Sequence, residues 1–221
     1  MEIPAHIKRI KLDVGIGQFN INSTNWLCND WNLFVCMFDA SPKSIHYAKH
    51  AMLRYESAFE QHKNRYYIHN VALGNVETPT TAEFYEMLKD SGTSSLHAPT
   101  AGHLGPVERK ISVNLISLKH FLDTFPWDRF EYIEYLKVDV QGADLDVLKG
   151  AGTYLKDRVV YVTAEPEHED YDGCNHNTTQ NITEYMLSQN FMKIDHPKTK
   201  DPTFLNIKFA HLRESIYIHQ Q

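Results

Sequence analysis

A chain of 221 residues, 42% hydrophobic and 12% aromatic, suffices for one globular core and is short for two. The formal net charge of −6 excludes a protein that tracks nucleic-acid phosphates. No apolar run approaches a membrane span, and the polar, proline-interrupted start is not a signal peptide. Cys28, Cys36 and Cys174 lack metal-finger spacing, and their odd number fits a reducing compartment. The expectation is a single domain over 1–221, soluble and cytoplasmic, with neither nucleic acid nor membrane as partner. Glycosylation sequons begin at Asn22, Asn177 and Asn181. They read as accidental, since a glycan on Asn22 would crowd the glycine turn beside it.

The first element, His6 to Val14, carries Ile7, Ile10, Leu12 and Val14 and reads as a strand. It runs through Asp13, Gly15 and Gly17 into a helix from Gln18 that offers Phe19, Ile21, Trp26 and Leu27 for packing. Leu33 to Phe38 is a continuous apolar run, as in a parallel strand covered on both faces. It ends in Asp39, and Pro42 opens a helix reaching about His62. Tyr66 to Val71 is a third strand, Glu83 to Tyr85 a short extra one, and Asp90 to Pro106 a long loop of the kind that forms lids or binding loops. Ile111 to Leu115 reads as an edge strand, Leu118 to Phe125 as a short helix and Tyr132 to Val140 as a buried strand. A helix follows over Asp144 to Leu155, then a strand over Val159 to Thr163 and a helix over Thr179 to Gln189. Phe191 to Ile194 and Phe204 to Phe209 close the chain as an antiparallel edge pair. This alternation predicts an α/β fold with a doubly wound, mostly parallel sheet.

Such sheets bind ligands beyond the carboxyl ends of their strands. A strand turning through two glycines into a helix brings backbone N–H groups to a ligand, and an acid before Gly-x-Gly suits one with a cationic end, such as S-adenosylmethionine. Asp13, Gly15 and Gly17 are therefore cofactor candidates. Asp39 is placed to accept from two ribose hydroxyls, although an N-cap for the following helix is its bland alternative. Asn70 and Ala72 stand where an amide or backbone edge would read an adenine, or where an ordinary turn would stand. Asp139 points out of the fourth major strand, and Glu165 and His168 lie in an acidic segment after the fifth.

These pieces resemble the FkbM-type methyltransferases. The resemblance rests on Leu12 to Phe19, on Phe38-Asp39-Ala40-Ser41-Pro42, on Asn70 to Asn75 and on Ser91 to Leu96. It rests most on Leu136-Lys137-Val138-Asp139-Val140-Gln141-Gly142-Ala143-Asp144 running into Val147 to Ala151, the whole lying between residues 7 and 165. The family implies a class I Rossmann-like methyltransferase fold, S-adenosylmethionine as cofactor, and Ala40, Ser41, Ser94 and Ser95 beside it. It also implies O-methylation of a hydroxyl, with a sugar of a glycan as acceptor. The chain departs from the family pattern at Gln141 and Asp144, where the family usually has Glu, and in having Asp-Ala-Ser-Pro after the second strand in place of Glu-Pro.

Methyl transfer to oxygen needs positioning and a proton acceptor. Asp139 is the first choice for that base, with binding of the cofactor's ammonium as its competing role; Glu165 and His168 come next. Asp139, Asp172 and His176 with the acidic rim also suit a divalent cation, although no spacing marks one. His97 and His103 are candidates to face the acceptor. A nicotinamide-dependent oxidoreductase is the rival enzyme, disfavoured by Asn20 where a dinucleotide fingerprint has its third glycine and by the lack of a Tyr-x-x-x-Lys pair. A catalytically silent binding module is the third reading, disfavoured by the presence of Asp13, Asp39 and Asp139. The first strand so close to Met1 further suggests a minimal domain, or one taken from a polypeptide with neighbouring glycosyltransferase domains.

Overall fold

The computed structural model describes residues 2–18, 22–58, 63–100, 102–196 and 199–213. Seven strands form the main sheet: β1 (Arg9–Val14), β2 (Leu33–Asp39), β3 (Tyr66–Asn70), β7 (Ile133–Val138), β8 (Val159–Ala164), β9 (Phe191–Ile194) and β10 (Thr203–Asn206). Their order is β3-β2-β1-β7-β8-β10-β9, parallel except for β10, which runs against both β8 and β9. The doubly wound sheet with its antiparallel edge is as the sequence predicts. From β1 the chain first builds outwards through β2 and β3, then returns to lay β7 on the other side of β1. The strand order therefore reverses between β1 and β7.

Period-two alternation explains why both faces are covered. On β2, Phe34, Cys36 and Phe38 enter one core with α3 (Leu118–Leu122), α4 (Asp144–Gly150), α5 (Thr153–Arg158) and α6 (Thr179–Ser188). Leu33, Val35 and Met37 enter a second core with Leu27 of α1 (Asn22–Asn29) and with Ile45, Ala48 and Met52 of α2 (Pro42–Ala58). The end expected for α2 near His62, like Phe19, Asn20 and Ile21 of the first helix, lies outside the described residues.

Four expectations need correction. Ile111 to Leu115 is not an edge of the main sheet. It belongs to β6 (Val107–Ile116), the centre of a separate three-stranded sheet with β4 (Ala72–Leu73) and β5 (Thr80–Met87). The short strand expected at Glu83 to Tyr85 is thus an eight-residue partner of β6 across the long loop. The helix over Asp144 to Leu155 divides into α4 and α5, because Gly152 adopts φ +58, which an α-helix does not accommodate. The last strand stops at Asn206, whose side chain caps a 3₁₀ segment over Ile207–Leu212.

Two glycines hold the motifs together. Gly150 on α4 lies so close to the β4 end that a Cβ there would sit 2.2 Å from the Gly74 carbonyl oxygen. Gly15, at φ +80, lies so close to the end of β7 that a Cβ would sit 1.6 Å from the Asp139 carbonyl oxygen. The second contact closes the sheet at the reversal point.

Candidate active site

A cavity of about 460 Å³ opens at the carboxyl ends of β1, β2, β7 and β8, beside that reversal, within the range of small-molecule sites. Of the residues expected to bind a cofactor, Gly15, Gly17, Asp39, Ala40, Ala72 and Ser94 line it, together with Asp139 and Glu165. The others stand behind the lining. Ser41 donates its N–H to Asp39 Oδ1 at 2.8 Å and its hydroxyl to buried Glu86 at 2.9 Å. Asn70 donates its amide to the Asp39 and Ala40 carbonyls, both at 3.0 Å, which sets the backbone after β2. Ser95 donates its hydroxyl to the Gln141 carbonyl at 2.6 Å.

Asp13 is buried under the turn and does not line the cavity. Its Oδ2 accepts from the Ser23 hydroxyl at 2.6 Å, while Oδ1 has no hydrogen-bond partner among the described residues. Burial pushes its carboxyl above the usual range, against the pull of Lys137. Asp39 sits at the cavity wall, its Oδ2 accepting from the Gly17 N–H at 3.1 Å. Burial pushes it up to about 7, against the hydrogen bonds from Ser41 and Gly17.

The floor is a charged group that sequence reading took only in part. Lys137 donates to Asp139 Oδ2 at 2.8 Å, and the Gln141 amide donates to Asp139 Oδ1 at 2.9 Å. Burial pulls the Lys137 ammonium down, but Asp139 and Asp13 outweigh it and the pKa ends above its ordinary value. Glu165 faces the same group and is pushed up to about 7 by burial, then by Asp139 and Asp201. Lys137 was missed, although a lysine within the apolar run Tyr135 to Val138 was the available signal: a charge on a strand covered on both faces must be paired.

The remaining candidates lie away from the cavity lining. His168 is half exposed and meets Glu169 at 4.0 Å. His97 rests on the Asp172 carbonyl at 3.1 Å, and the His103 side chain lies outside the described residues. His176 bonds Asp146 at 3.0 Å rather than joining Asp139. Among the described residues, no three His, Cys, Asp or Glu side chains group to hold a metal ion. Asn22 lines the cavity and Asn177 is wholly buried, its amide donating to Asp144 and to the Glu167 carbonyl. A glycan on Asn177 is incompatible with this fold, and one on Asn22 would stand in the cavity.

The family model described as the methyltransferase FkbM domain matches residues 3–192. The chain belongs to the FkbM methyltransferase family. Among solved structures, this FkbM domain is similar to methyltransferase FkbM from Methylobacillus flagellatus KT, with a TM-score of 0.54 and 13% identity. That likeness carries the fold alone; it covers 90% of this chain and 43% of the other, so the FkbM domain spans less than half of that protein's length. No match is found among the curated proteins. Among the described residues no helix is long and apolar enough to cross a membrane.

Proposed function

We propose that this FkbM domain is an S-adenosylmethionine-dependent O-methyltransferase acting on a hydroxyl, that of a sugar in a glycan. One observation carries the reading: Asp39 at one wall and the Asp139–Glu165 group on the floor share a single cavity beside the Gly15–Gly17 turn. The donor set fits the cofactor. Asp39 is an acceptor for ribose hydroxyls, and the cavity carries Asp39, Asp90, Asp139 and Glu165 against the single cation Lys137, which suits a ligand with a positive end. S-adenosylmethionine, when bound, supplies an electrophilic methyl on a sulfonium and leaves as a neutral thioether. Glu165 is the proton acceptor of this reading: a carboxyl raised to about 7 is matched to general-base work near neutral pH. The acceptor's proton passes to the Glu165 carboxylate as its oxygen takes the methyl. Asp139, with both oxygens already accepting hydrogen bonds, is the fixed anion for the cofactor's cationic end. His168, off the cavity, takes no part.

The acceptor class follows from the family and not from a residue. In this reading the partners are the domains that build or carry the glycan, and the three cysteines, all thiols, accord with a cytoplasmic setting. Calorimetric titration with S-adenosylmethionine, S-adenosylhomocysteine and NAD, followed by methyl transfer from labelled cofactor to a panel of free saccharides, tests the proposal. Binding of the two sulfur ligands and label in a saccharide are expected. Binding of NAD with no response to either sulfur ligand would overturn it.

A further inference from the structure

Gln141 is the residue at which three separate parts of the chain meet. Its side-chain Nε2 donates to Asp139 Oδ1 at 2.9 Å, and its backbone carbonyl accepts from the Ser95 hydroxyl at 2.6 Å. Its Oε1 lies 3.0 Å from the Tyr171 hydroxyl, which also reaches the Thr93 carbonyl at 2.8 Å. The end of β7, the loop after β5 and the segment after β8 are thus tied through one side chain and its backbone. The backbone at this point is strained: φ is +54, a region that side-chain-bearing residues rarely adopt and that clusters at functional sites. Gly142 follows at φ +100, so the turn itself would be served at least as well by a second glycine.

The chemistry of the amide explains what the strain secures. A carboxamide has one donating and one accepting end. The Asp139 carboxylate turns the donating end towards itself, since the reverse orientation would set Oε1 against a carboxylate oxygen. Oε1 then falls beside the Tyr171 hydroxyl, whose one proton it shares with the Thr93 carbonyl. Lys137 holds the other oxygen of Asp139. The carboxylate is therefore fixed from both sides, by the Lys137 ammonium and by the amide of a residue whose backbone the Ser95 hydroxyl holds.

We infer that Gln141 is a positioning residue, which acts through Asp139 by holding that carboxylate in place for the cationic end of the bound cofactor. The inference rests on the proposed function for the identity of that cofactor. Tyr171 is its accessory, since its hydroxyl abuts the accepting end of the amide.

The test is a double-mutant cycle read by calorimetry with S-adenosylhomocysteine on wild type, Gln141→Gly, Asp139→Asn and the double variant. Glycine favours the positive φ, so the unliganded Gln141→Gly protein should melt at or above the wild-type temperature. Its affinity for S-adenosylhomocysteine should nevertheless fall on the order of tenfold, the effect of one hydrogen bond to a charged group. In the Asp139→Asn background the same change should add less than about twofold, because coupled residues are not additive. Gln141→Asn, which tolerates the same backbone and is too short to reach Asp139, should reproduce Gln141→Gly. Tyr171→Phe should move affinity in the same direction by less. Wild-type affinity in Gln141→Gly, or losses that multiply in the double variant, would overturn the inference. A wild-type protein that ignores S-adenosylhomocysteine would instead overturn the function on which it rests.

Discussion

Replacing Gly15 by alanine puts a methyl group into the contact that closes the sheet. The new Cβ would sit 1.6 Å from the Asp139 carbonyl oxygen, where ordinary contact begins at 3.4 Å, so the turn and the end of β7 must separate by about 1.8 Å. Two backbone hydrogen bonds frame that gap, Gly15 N–H to the Phe38 carbonyl and Asp139 N–H to the Val14 carbonyl, both 2.9 Å. An alanine in the left-handed region costs roughly 1–2 kcal/mol, and stretching one or both hydrogen bonds adds about 0.5–1.5 kcal/mol each. Gly15→Ala should therefore lose about 1.5–5 kcal/mol of stability, a large share of the ~5–15 kcal/mol of a typical domain. Gly17→Ala is the internal control. Gly17 has φ +61 but its nearest neighbour, the Gly92 Cα, would be 3.8 Å from the new Cβ. Only the roughly 1–2 kcal/mol of backbone strain should be lost there. Urea unfolding of the two variants, followed by calorimetry with S-adenosylhomocysteine, measures the difference. Equal losses at the two positions, or a loss below about 1 kcal/mol for Gly15→Ala, would refute the close approach of β1 and β7 as the determinant.

Asp39→Ala should weaken S-adenosylhomocysteine by about 1.5–3 kcal/mol, the worth of hydrogen bonds to a charged group, and unchanged affinity with collapsed turnover would show Asp39 misassigned. Because Asp39 is raised to about 7 and its anion is the acceptor, wild-type affinity should fall as pH drops through 7, which calorimetry at pH 6 and 8 reads directly. With the cofactor saturating, wild-type kcat should likewise fall on the acid side of about 7 as Glu165 takes up a proton; Glu165→Gln should be about a hundred- to ten-thousand-fold slower and lack that limb. Asp39, Asp144 and Glu165 are all raised to about 7, so the folded state binds more protons than the unfolded one between about pH 4 and 7. Their contribution makes the ligand-free protein lose stability as pH rises through that window, opposed by His69, which burial lowers to about 4. Scanning calorimetry should show a higher melting temperature at pH 6 than at pH 8, and the reverse would mean that these carboxyls are solvated.

Much of the site was legible because strand ends are legible. Apolar runs that stop at Asp39, at Val140 and at Thr163 mark where a parallel sheet delivers its side chains, and the cavity lies there. What alternation alone does not show is which way the last side chain points. Asp13 and Asp39 both end strands beside the glycine turn, yet Asp13 turns under it to Ser23 while Asp39 reaches the wall. The second sheet escaped because β5 and β6 pair across the long loop over residues 88–106, and no local pattern records such a pairing. Gln141 was seen only as a departure from a family pattern. Its role depends on Tyr171, 30 residues away, and on Ser95, 46 residues away, which no window of sequence brings together.

The position of β1 at the centre of the sheet also governs how the chain acquires its structure. Its first neighbour, β2, follows at once, but the second, β7, arrives far later: Arg9 on β1 and Glu134 on β7 are ion-paired across 125 residues of sequence. During synthesis, β1 to β3 and their two helices can assemble early, leaving one apolar edge of β1 without hydrogen-bonding partners until β7 is made. Loop closure over that span is slow, and an unpaired strand edge is a template for association with other chains. Polypeptides truncated before Val138 should therefore aggregate rather than remain as shorter folded domains. Chaperone demand should peak while the segment between β3 and β7 is being translated.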